Sequence, residues 1–152
     1  MGRLNEPDFS IKIIEQNGKR KVLDIIRKKY VVLTPEEWVR QNMIHYLIEI
    51  KGVPKTLITV EEAIKVNNLT KRVDIAVYNK KGVPVLLVEC KASSVKIDQK
   101  VFDQALRYNM QLHVKYLLVT NGIKHFGCII NYEKQDYSYL TDIPCYNDMI
   151  VE

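Results

Sequence analysis

Residues 72–91, RVDIAVYNKKGVPVLLVECK, contain two apolar segments separated by a short polar turn. The second segment has four apolar residues in succession, Val85 to Val88, which is typical of a strand buried on both faces of a sheet. The NKKG turn favours antiparallel pairing of the two segments. The buried strand then runs into Glu89 and Lys91, whose side-chain types are rarely found in a protein core. This charged strand end indicates a site built at the end of a rigid scaffold.

The segment before this hairpin predicts a helix. Thr34 offers an N-cap, Pro35 occupies the first helical position and Glu37 the acidic position of a capping box. The helix is expected to end near Gly52. Asp98 caps a second predicted helix, residues 98–113. Strands are predicted at residues 56–66, 72–78, 83–92, 115–122 and 126–133.

These elements predict an α/β fold with the core order α-β-β-β-α-β, in which helices flank a mixed central sheet. At 152 residues, the chain is expected to be one domain. Residues 1–32 are predicted to form an extra N-terminal β-hairpin, because FSIKIIEQNGKRKVLDII alternates around an Asn-Gly turn. Residues 33–132 are expected to form the core, and residues 133–152 an irregular, acidic, Tyr-rich tail.

Charge is unevenly distributed along the chain. The net charge is +5, but residues 133–152 carry five acids and one base, so the preceding residues have a net charge of +9. A basic body suits a polyanionic partner such as nucleic acid. The sequence has no apolar run of bilayer-spanning length and no signal-peptide core, so no membrane partner is expected. Three scattered cysteines do not fit a disulfide framework, which favours a reducing, cytoplasmic location.

The two strands of residues 72–91 bring acidic residues together. If they pair as a hairpin, Asp74 and Glu89 approach each other on one face, opposite Val73, Ile75 and Val77. Two adjacent carboxylates repel each other, and Lys91 neutralises only part of their charge. A hard divalent cation such as Mg²⁺ binds carboxylate oxygens and water, so the pattern predicts a metal site. By itself, a D…ExK pattern is more often a surface ion pair; here its position after a buried strand favours the metal site.

The predicted helices add polar residues to this site. Gln104 and Tyr108 are four residues apart, so they share one face of the second helix with Val101, Ala105 and Leu112. Their polar tips are expected to reach the edge of the sheet. Glu37 in the first helix is either a further site acid or a capping-box acid only.

The residues quoted so far resemble the PD-(D/E)XK nuclease superfamily, and within it the N-terminal nuclease domain of the restriction (R) subunit of type I restriction enzymes. The resemblance rests on TPEEWVRQ, the D-x14-E-x-K hairpin, FDQALRYN and LLVTNG, and it covers residues 33–122. It implies a restriction-endonuclease-like core. It also implies that Asp74 and Glu89 bind metal, that Lys91 is the catalytic lysine, and that Gln104 and Tyr108 support catalysis. Glu37 matches the helical acid of the metal site, with Glu36 as the alternative; Val73 replaces the usual proline.

The resemblance implies a divalent-metal-dependent endonuclease that hydrolyses phosphodiester bonds in DNA, with Mg²⁺ as cofactor and Mn²⁺ as a substitute. The chain has no GxxxxGK[ST] phosphate loop, so a stand-alone nuclease domain is expected. Any motor or specificity function would come from separate subunits. Arg40, Lys71 and Arg72 lie near the site in the sequence and are candidate phosphate contacts.

Two alternatives remain. The first is a structure-selective, junction-resolvase-like nuclease, which would be a symmetric homodimer. The second is a module of the same fold that binds nucleic acid or a partner without cutting.

Overall fold

The structure, a computed structural model, describes residues 8–151 apart from the side chain of residue 66. Residues 1–7 and 152 of the predicted domain therefore lie outside the described residues. The strands are β1 Ile13–Gln16, β2 Lys19–Asp24, β3 Lys29–Val32, β4 Ile58–Val66, β5 Leu69–Tyr78, β6 Pro84–Cys90, β7 Tyr116–Thr120, β8 His125–Asn131 and β9 Asp136–Leu140. The helices are α1 Pro35–Glu49, α2 Gln99–Met110 and α3 Tyr146–Met149, with a 3₁₀ turn at Lys55–Leu57.

The central sheet confirms the predicted mixed α/β core. Its strand order is β4-β5-β6-β7-β8-β9. Helix α2 connects β6 to β7, and these two strands are parallel; the other neighbouring strands pair antiparallel. One face of the sheet packs against α1 through Met43 and Leu47, and the other packs against α2 through Phe102 and Leu106. Both faces of β5 and β6 are therefore covered, which explains their nearly continuous apolar sequence.

Helix α1 begins as the sequence predicts. The Thr34 side chain accepts a hydrogen bond from the backbone N–H of Glu37 at 3.0 Å, and Pro35 is the first helical residue. The helix ends at Glu49, and Gly52 then adopts a φ of 71°, which an L-residue with a Cβ rarely tolerates. None of the helices in residues 8–151 combines the length and apolar character that crossing a bilayer requires.

The N-terminal region contains one strand more than the predicted hairpin. Strands β1 and β2 pair around Asn17 and Gly18, whose φ values of 53° and 75° fit the predicted Asn-Gly turn. Strand β3 then pairs with β2, so a separate three-stranded sheet forms. Strand β3 has only four residues and is mostly exposed, so it lacks the buried apolar run that marks a strand in the sequence.

The expectation of an irregular C-terminal tail was wrong. Strand β9 adds to the edge of the central sheet beside β8. After it, α3 places Tyr146 and Met149 in the core cluster that also contains α1. The hydroxyl of Tyr146 donates to the backbone carbonyl of Tyr78 at 3.0 Å. The segment therefore combines acidic residues with apolar residues that complete the core. Its apolar residues are too widely spaced in the sequence to show the periodicity of a strand or a helix.

Candidate active site

The hairpin of β5 and β6 brings the two predicted metal-binding acids to one cavity. The strands pair with Ile75 opposite Val88, so Asp74 and Glu89 are the next residues on each strand. Both line a surface cavity of about 150 Å³, together with Arg72, Val73, Val88, Tyr108 and Asn109. The structure therefore brings Asp74 and Glu89 together.

The strict alternation expected along β5 does not hold at Asp74. Ile75 and Val77 belong to the core cluster of α1, whereas Val73 packs with Ala76 in the cluster of α2. The neighbouring strand β4 is distorted at the same level. Val60 pairs with Ile75 and Glu62 pairs with Val73, but Glu61 and Asp74, which lie between them, do not pair. Asp74 thus lies at a local twist between the two layers, where helix α1 can reach it.

Both carboxylate oxygens of Asp74 are held by hydrogen bonds. Oδ2 accepts from the backbone N–H of Cys90 at 2.7 Å, which ties the end of β5 to the end of β6. Oδ1 accepts from Nη2 of Arg40 at 3.1 Å, which ties the same carboxylate to helix α1. The orientation of Asp74 is therefore set by one backbone group and one cation.

Glu89 is less well neutralised than Asp74. Its side chain is 27% exposed, and Nζ of Lys91 lies 4.0 Å from its Oε1. Burial raises the pKa of Glu89, the charge of Lys91 lowers it, and the nearby charges of Asp74 and Glu36 raise it further; the net pKa lies above the ordinary value. Glu89 is thus a partly buried carboxylate, and the charge of Lys91 only partly offsets the unfavourable effects of its burial and of the nearby acids.

Strand β7 supports the backbone that carries Lys91. Glu89 and Cys90 pair in parallel with Val119 and Thr120. Beyond the strand end, the backbone N–H of Lys91 donates to the carbonyl of Thr120 at 2.8 Å. The start of the predicted Thr-Asn-Gly strand end therefore fixes where the lysine leaves the sheet.

The contacts of α1 distinguish Glu36 from Glu37. Glu37 is 7% exposed, and its carboxylate accepts hydrogen bonds from Arg27, Arg40 and Gln41 at 2.8–3.2 Å. Its neighbour Glu36 is half-exposed, and its Oε1 lies 3.5 Å from Nη2 of Arg40, which also contacts Asp74. Burial raises the pKa of Glu36, the charge of Asp74 raises it further, and Arg40 and Lys91 lower it. The geometry thus places Glu37 in a buried ion-pair network and Glu36 in the field of the site.

The three candidate phosphate contacts have different positions. Arg40 is 5% exposed and its guanidinium contacts carboxylates, so it is not placed as the sequence-based hypothesis expected. Arg72 is exposed at the rim of the cavity. Nζ of Lys71 lies 3.9 Å from the centre of the Tyr108 ring, which is a cation–π contact beside the same cavity. Lys71 and Arg72 therefore lie near the two acids, with Lys71 over the Tyr108 ring and Nε of Arg72 donating to the backbone carbonyl of Glu61 at 3.1 Å.

The residues of α2 differ from the predicted apolar stripe. The buried face of α2 consists of Phe102, Ala105, Leu106 and Asn109, whereas Gln104 and Tyr108 are exposed. Tyr108 lines the cavity of Asp74 and Glu89, so the structure brings it to the predicted site. Gln104 lies one helical turn before it, on the exposed side of α2.

A fourth acid, Glu61 of β4, also lies at the site and is absent from the sequence-based prediction. Its Oε1 accepts a hydrogen bond from Nη2 of Arg40 at 2.9 Å, and its backbone has a φ of 56°. It also contributes to the raised pKa of Glu36. The only sequence signal is the pair of consecutive acids, Glu61 and Glu62, which interrupts the apolar character of the strand.

The available ligands fit Mg²⁺, which keeps part of its water shell, better than a metal ion whose ligands all come from the protein. No group of three or more His, Cys, Asp or Glu side chains within the described residues has the arrangement of a metal cage. Mg²⁺ is commonly bound by one or two carboxylates together with water and substrate phosphate. Asp74 and Glu89 supply two carboxylates at one cavity, and burial and the charges of Asp74 and Glu36 together raise the pKa of Glu89.

Comparison with solved structures supports this fold. A fragment assigned as an HsdR subunit of a type I restriction enzyme from Vibrio vulnificus YJ016 superposes with a TM-score of 0.54. The two sequences are 21% identical over 77% of this chain, so the likeness shows the fold. The match spans 24% of the Vibrio fragment, so the present chain covers about a quarter of the length of that solved chain. A search among curated protein sequences gave no match.

The family comparison covers most of the chain and includes every residue of the cavity. Residues 35–144 match the family described as the type I restriction enzyme R protein N terminus. This range includes α1, strands β4 to β6 with Lys91 directly after them, and α2, and so contains all the acids of the site and Tyr108. The chain therefore belongs to the family of the N-terminal domain of type I restriction enzyme R proteins.

Proposed function

We propose that this domain is a divalent-metal-dependent endonuclease that hydrolyses phosphodiester bonds in DNA. The observation that carries the proposal is the cavity shared by Asp74 and Glu89, with Lys91 beside Glu89. Family membership supports a nuclease-like role for the same elements. The proposed location is the cytoplasm, and the proposed partners are DNA and, by analogy with the family, other subunits of a restriction complex.

In this proposal Asp74 and Glu89 hold Mg²⁺, which Mn²⁺ can replace, and Glu36 takes the role of the helical acid in place of Glu37. When bound, such an ion neutralises charge on a phosphoryl group and lowers the pKa of a water molecule. The ammonium of Lys91 positions the attacking water and offsets the negative charge that develops on the phosphate. Tyr108 and Gln104 orient the nucleic acid, and Lys71 and Arg72 contact phosphates at the cavity rim.

The contacts of Glu37 are the reason for choosing Glu36. Moving Glu37 to a metal would remove one of the acceptors of Arg27, Arg40 and Gln41 in a buried network. Breaking buried ion pairs of this kind is strongly unfavourable. Glu36 is half-exposed, with a weaker contact of 3.5 Å to Arg40, so it is free to turn toward an ion.

The direct test is cleavage of linear duplex DNA by the wild type and by Lys91→Ala, each with Mg²⁺, with Mn²⁺ and with EDTA. We expect metal-dependent cleavage by the wild type and a loss of about 10²–10⁴-fold in the variant, the usual contribution of a positioned acid or base. DNA binding without cutting by the wild type under any metal condition would favour the non-cleaving module.

A matched pair of variants separates the two glutamates. Glu36→Gln is expected to lower cleavage while the protein keeps its melting temperature. Glu37→Gln is expected to lower stability by about 3 kcal/mol, because it breaks a buried ion pair. Cleavage is compared at a temperature where both variants are folded. The reverse pattern would return the metal-site role to Glu37.

The homodimer expected for a junction resolvase has no support in the comparisons, and we do not propose it. The mass of the protein in solution, measured together with cleavage of branched and linear DNA, checks this choice. A monomer that cleaves linear duplex is the expected result. A dimer that cleaves only branched DNA would contradict it.

A further inference from the structure

Arg40 occupies the centre of an acidic cluster between α1, β4 and β5. Its Nη2 lies 2.9 Å from Oε1 of Glu61, 3.1 Å from Oδ1 of Asp74 and 3.5 Å from Oε1 of Glu36. Its other terminal nitrogen, Nη1, bonds both carboxylate oxygens of Glu37. Three carboxylates from three elements thus converge on a single guanidinium nitrogen.

Arg40 is surrounded by carboxylates, but not all of its N–H groups are hydrogen-bonded. The residue is almost fully buried, and its Nε has no hydrogen-bond partner among the described residues. Burial lowers the pKa of Arg40, but the surrounding charges of Glu37, Asp74 and Glu61 raise it more. The guanidinium is therefore held as the cation of this cluster at the expense of one buried donor.

Glu61 is held at this cluster by an unusual backbone. Its φ of 56° lies in the left-handed region, and the β4–β5 ladder has no pair at its level, where Asp74 faces it. Strained residues of this kind persist only where the surroundings hold them, and they concentrate at functional sites. A divalent ion bound by Asp74 would have to compete with Arg40 for the carboxylate oxygens of Asp74 and Glu61.

Building on the proposed function, we propose that Glu61 belongs to the metal site and that Arg40 is its internal counter-cation, which a divalent ion displaces from Asp74 and Glu61. Carboxylate oxygens are the ligands of hard divalent cations, and a guanidinium competes with them for the same oxygens. Arg40 keeps the acids together before the ion binds. After the ion binds, Arg40 retains Glu37 as its partner through Nη1.

Arg27 provides a matched control. It carries the same charge and belongs to the same network, because its Nη2 contacts Glu37 and its Nε contacts Asp24. Among the described residues, Arg27 forms ion pairs with those two acids and with neither Glu61 nor Asp74. A purely structural effect of removing an arginine from the network should appear in both variants, whereas displacement by a metal should appear only for Arg40.

The test is isothermal titration of Mn²⁺ into the full 152-residue chain, without DNA, for the wild type, Arg40→Gln, Arg27→Gln and Glu89→Gln. We expect Arg40→Gln to bind Mn²⁺ about tenfold more tightly than the wild type, since one nearby charge shifts a carboxylate equilibrium by one or more powers of ten. Arg27→Gln should stay within about twofold of the wild type. Glu61→Gln added to Arg40→Gln should remove most of the gain.

A measurement on the wild type covers the case in which Arg40→Gln does not fold. The guanidinium ¹⁵N signals of Arg40 should shift when Mg²⁺ is added, and those of Arg27 should not. Unchanged Arg40 signals at saturating Mg²⁺, or equal Mn²⁺ affinities of folded Arg40→Gln and Arg27→Gln, would overturn the inference. If the wild type does not bind Mn²⁺ at all, the proposed function itself is contradicted. If the wild type binds Mn²⁺ and Glu89→Gln does not, the proposed function stands whatever the result for Arg40.

Discussion

At the scale of single residues, the site acids differ in how their neighbours neutralise them. Asp74 has a backbone N–H and a guanidinium as partners, whereas Glu89 has only an ammonium at 4.0 Å among the described cations. The folded protein therefore disfavours the ionised form of Glu89, as its raised pKa indicates. A carboxylate whose pKa is raised in this way lowers the stability of the folded protein at neutral pH.

Replacing Glu89 should therefore stabilise the metal-free protein. A carboxyl group whose pKa is raised by folding lowers stability above its folded pKa and leaves stability unchanged below its unfolded pKa. Glu89→Gln should melt at a higher temperature than the wild type at neutral pH in EDTA, and the difference should disappear as the pH falls below the ordinary carboxyl range. Differential scanning calorimetry at several pH values checks this.

Mn²⁺ provides the control for this prediction. An ion that binds only the folded state raises the melting temperature. Added Mn²⁺ should therefore raise the melting temperature of the wild type and have little effect on Glu89→Gln. A variant less stable than the wild type in EDTA at neutral pH would show that the ion pair with Lys91 outweighs the unfavourable terms.

At the scale of elements, the small N-terminal sheet is attached to the site helix through buried polar groups. The Asp24 carboxylate at the end of β2 accepts hydrogen bonds from two backbone N–H groups, from Arg27 and from Gln41 of α1. Arg27 in turn reaches Glu37. The network connects β2 through α1 to Arg40 and Asp74, so the N-terminal sheet helps to position the helix that carries the site residues.

Asp24 makes the hydrogen bonds that join the end of β2 to α1, so replacing it should weaken the attachment of the N-terminal sheet to this helix. Burial raises the pKa of Asp24, but the hydrogen bonds from Arg27 and Gln41 and the charge of Arg27 lower it more, so the net pKa is below its ordinary value. Asp24→Asn should reduce stability at neutral pH by about 3 kcal/mol, as for other broken buried ion pairs. Urea unfolding at several pH values measures the difference.

The sign of the pH dependence follows from the lowered pKa. Asp24 contributes stability above its unfolded pKa, and the contribution is lost as the pH falls through its folded pKa. The gap between wild type and Asp24→Asn should therefore narrow in acid. Glu15→Gln on the exposed strand β1 is the control and should change stability by less than about 0.5 kcal/mol. A neutral-pH effect of Asp24→Asn as small as that of Glu15→Gln would contradict the prediction.

At the scale of the whole molecule, the C-terminal segment completes the core on the side of α1. Met149 of α3 is 1% exposed and belongs to the same cluster as Met43, Leu47 and Val88. The backbone N–H of Tyr146 also donates to the carbonyl of Lys51, in the turn after α1, at 2.8 Å. Residues far apart in the sequence thus cover the helix that forms one side of the candidate site.

Truncating Met149 should therefore destabilise the whole molecule. Met149→Ala leaves a cavity in the core and should reduce the free energy of unfolding by about 2–5 kcal/mol. Val151→Ala, at a side chain that is 64% exposed, should change it by less than about 0.5 kcal/mol. Urea unfolding of both variants measures the contrast. A Met149→Ala variant as stable as Val151→Ala would show that the tail lies on the surface, as the sequence had suggested.

The sequence by itself determined the mixed sheet, the two main helices and the proximity of Asp74 to Glu89. Those features depend on local signals, namely the Thr34 cap, the buried run in β6 and the short turn between β5 and β6. Family membership of the core followed from the same segments. Local periodicity is visible in the sequence because neighbouring residues share one element.

Only the tertiary structure decided how the charged groups pair. It assigned Glu37 to a buried network, left Glu36 half-exposed beside Arg40, placed Arg40 among acids and added Glu61 to the site. It also placed apolar residues of the acidic C-terminal segment in the core, among them Tyr146 and Met149. The physical reason is that the partner of a charge depends on distances between elements, and neither the twist at Asp74 nor the left-handed backbone at Glu61 follows from local spacing.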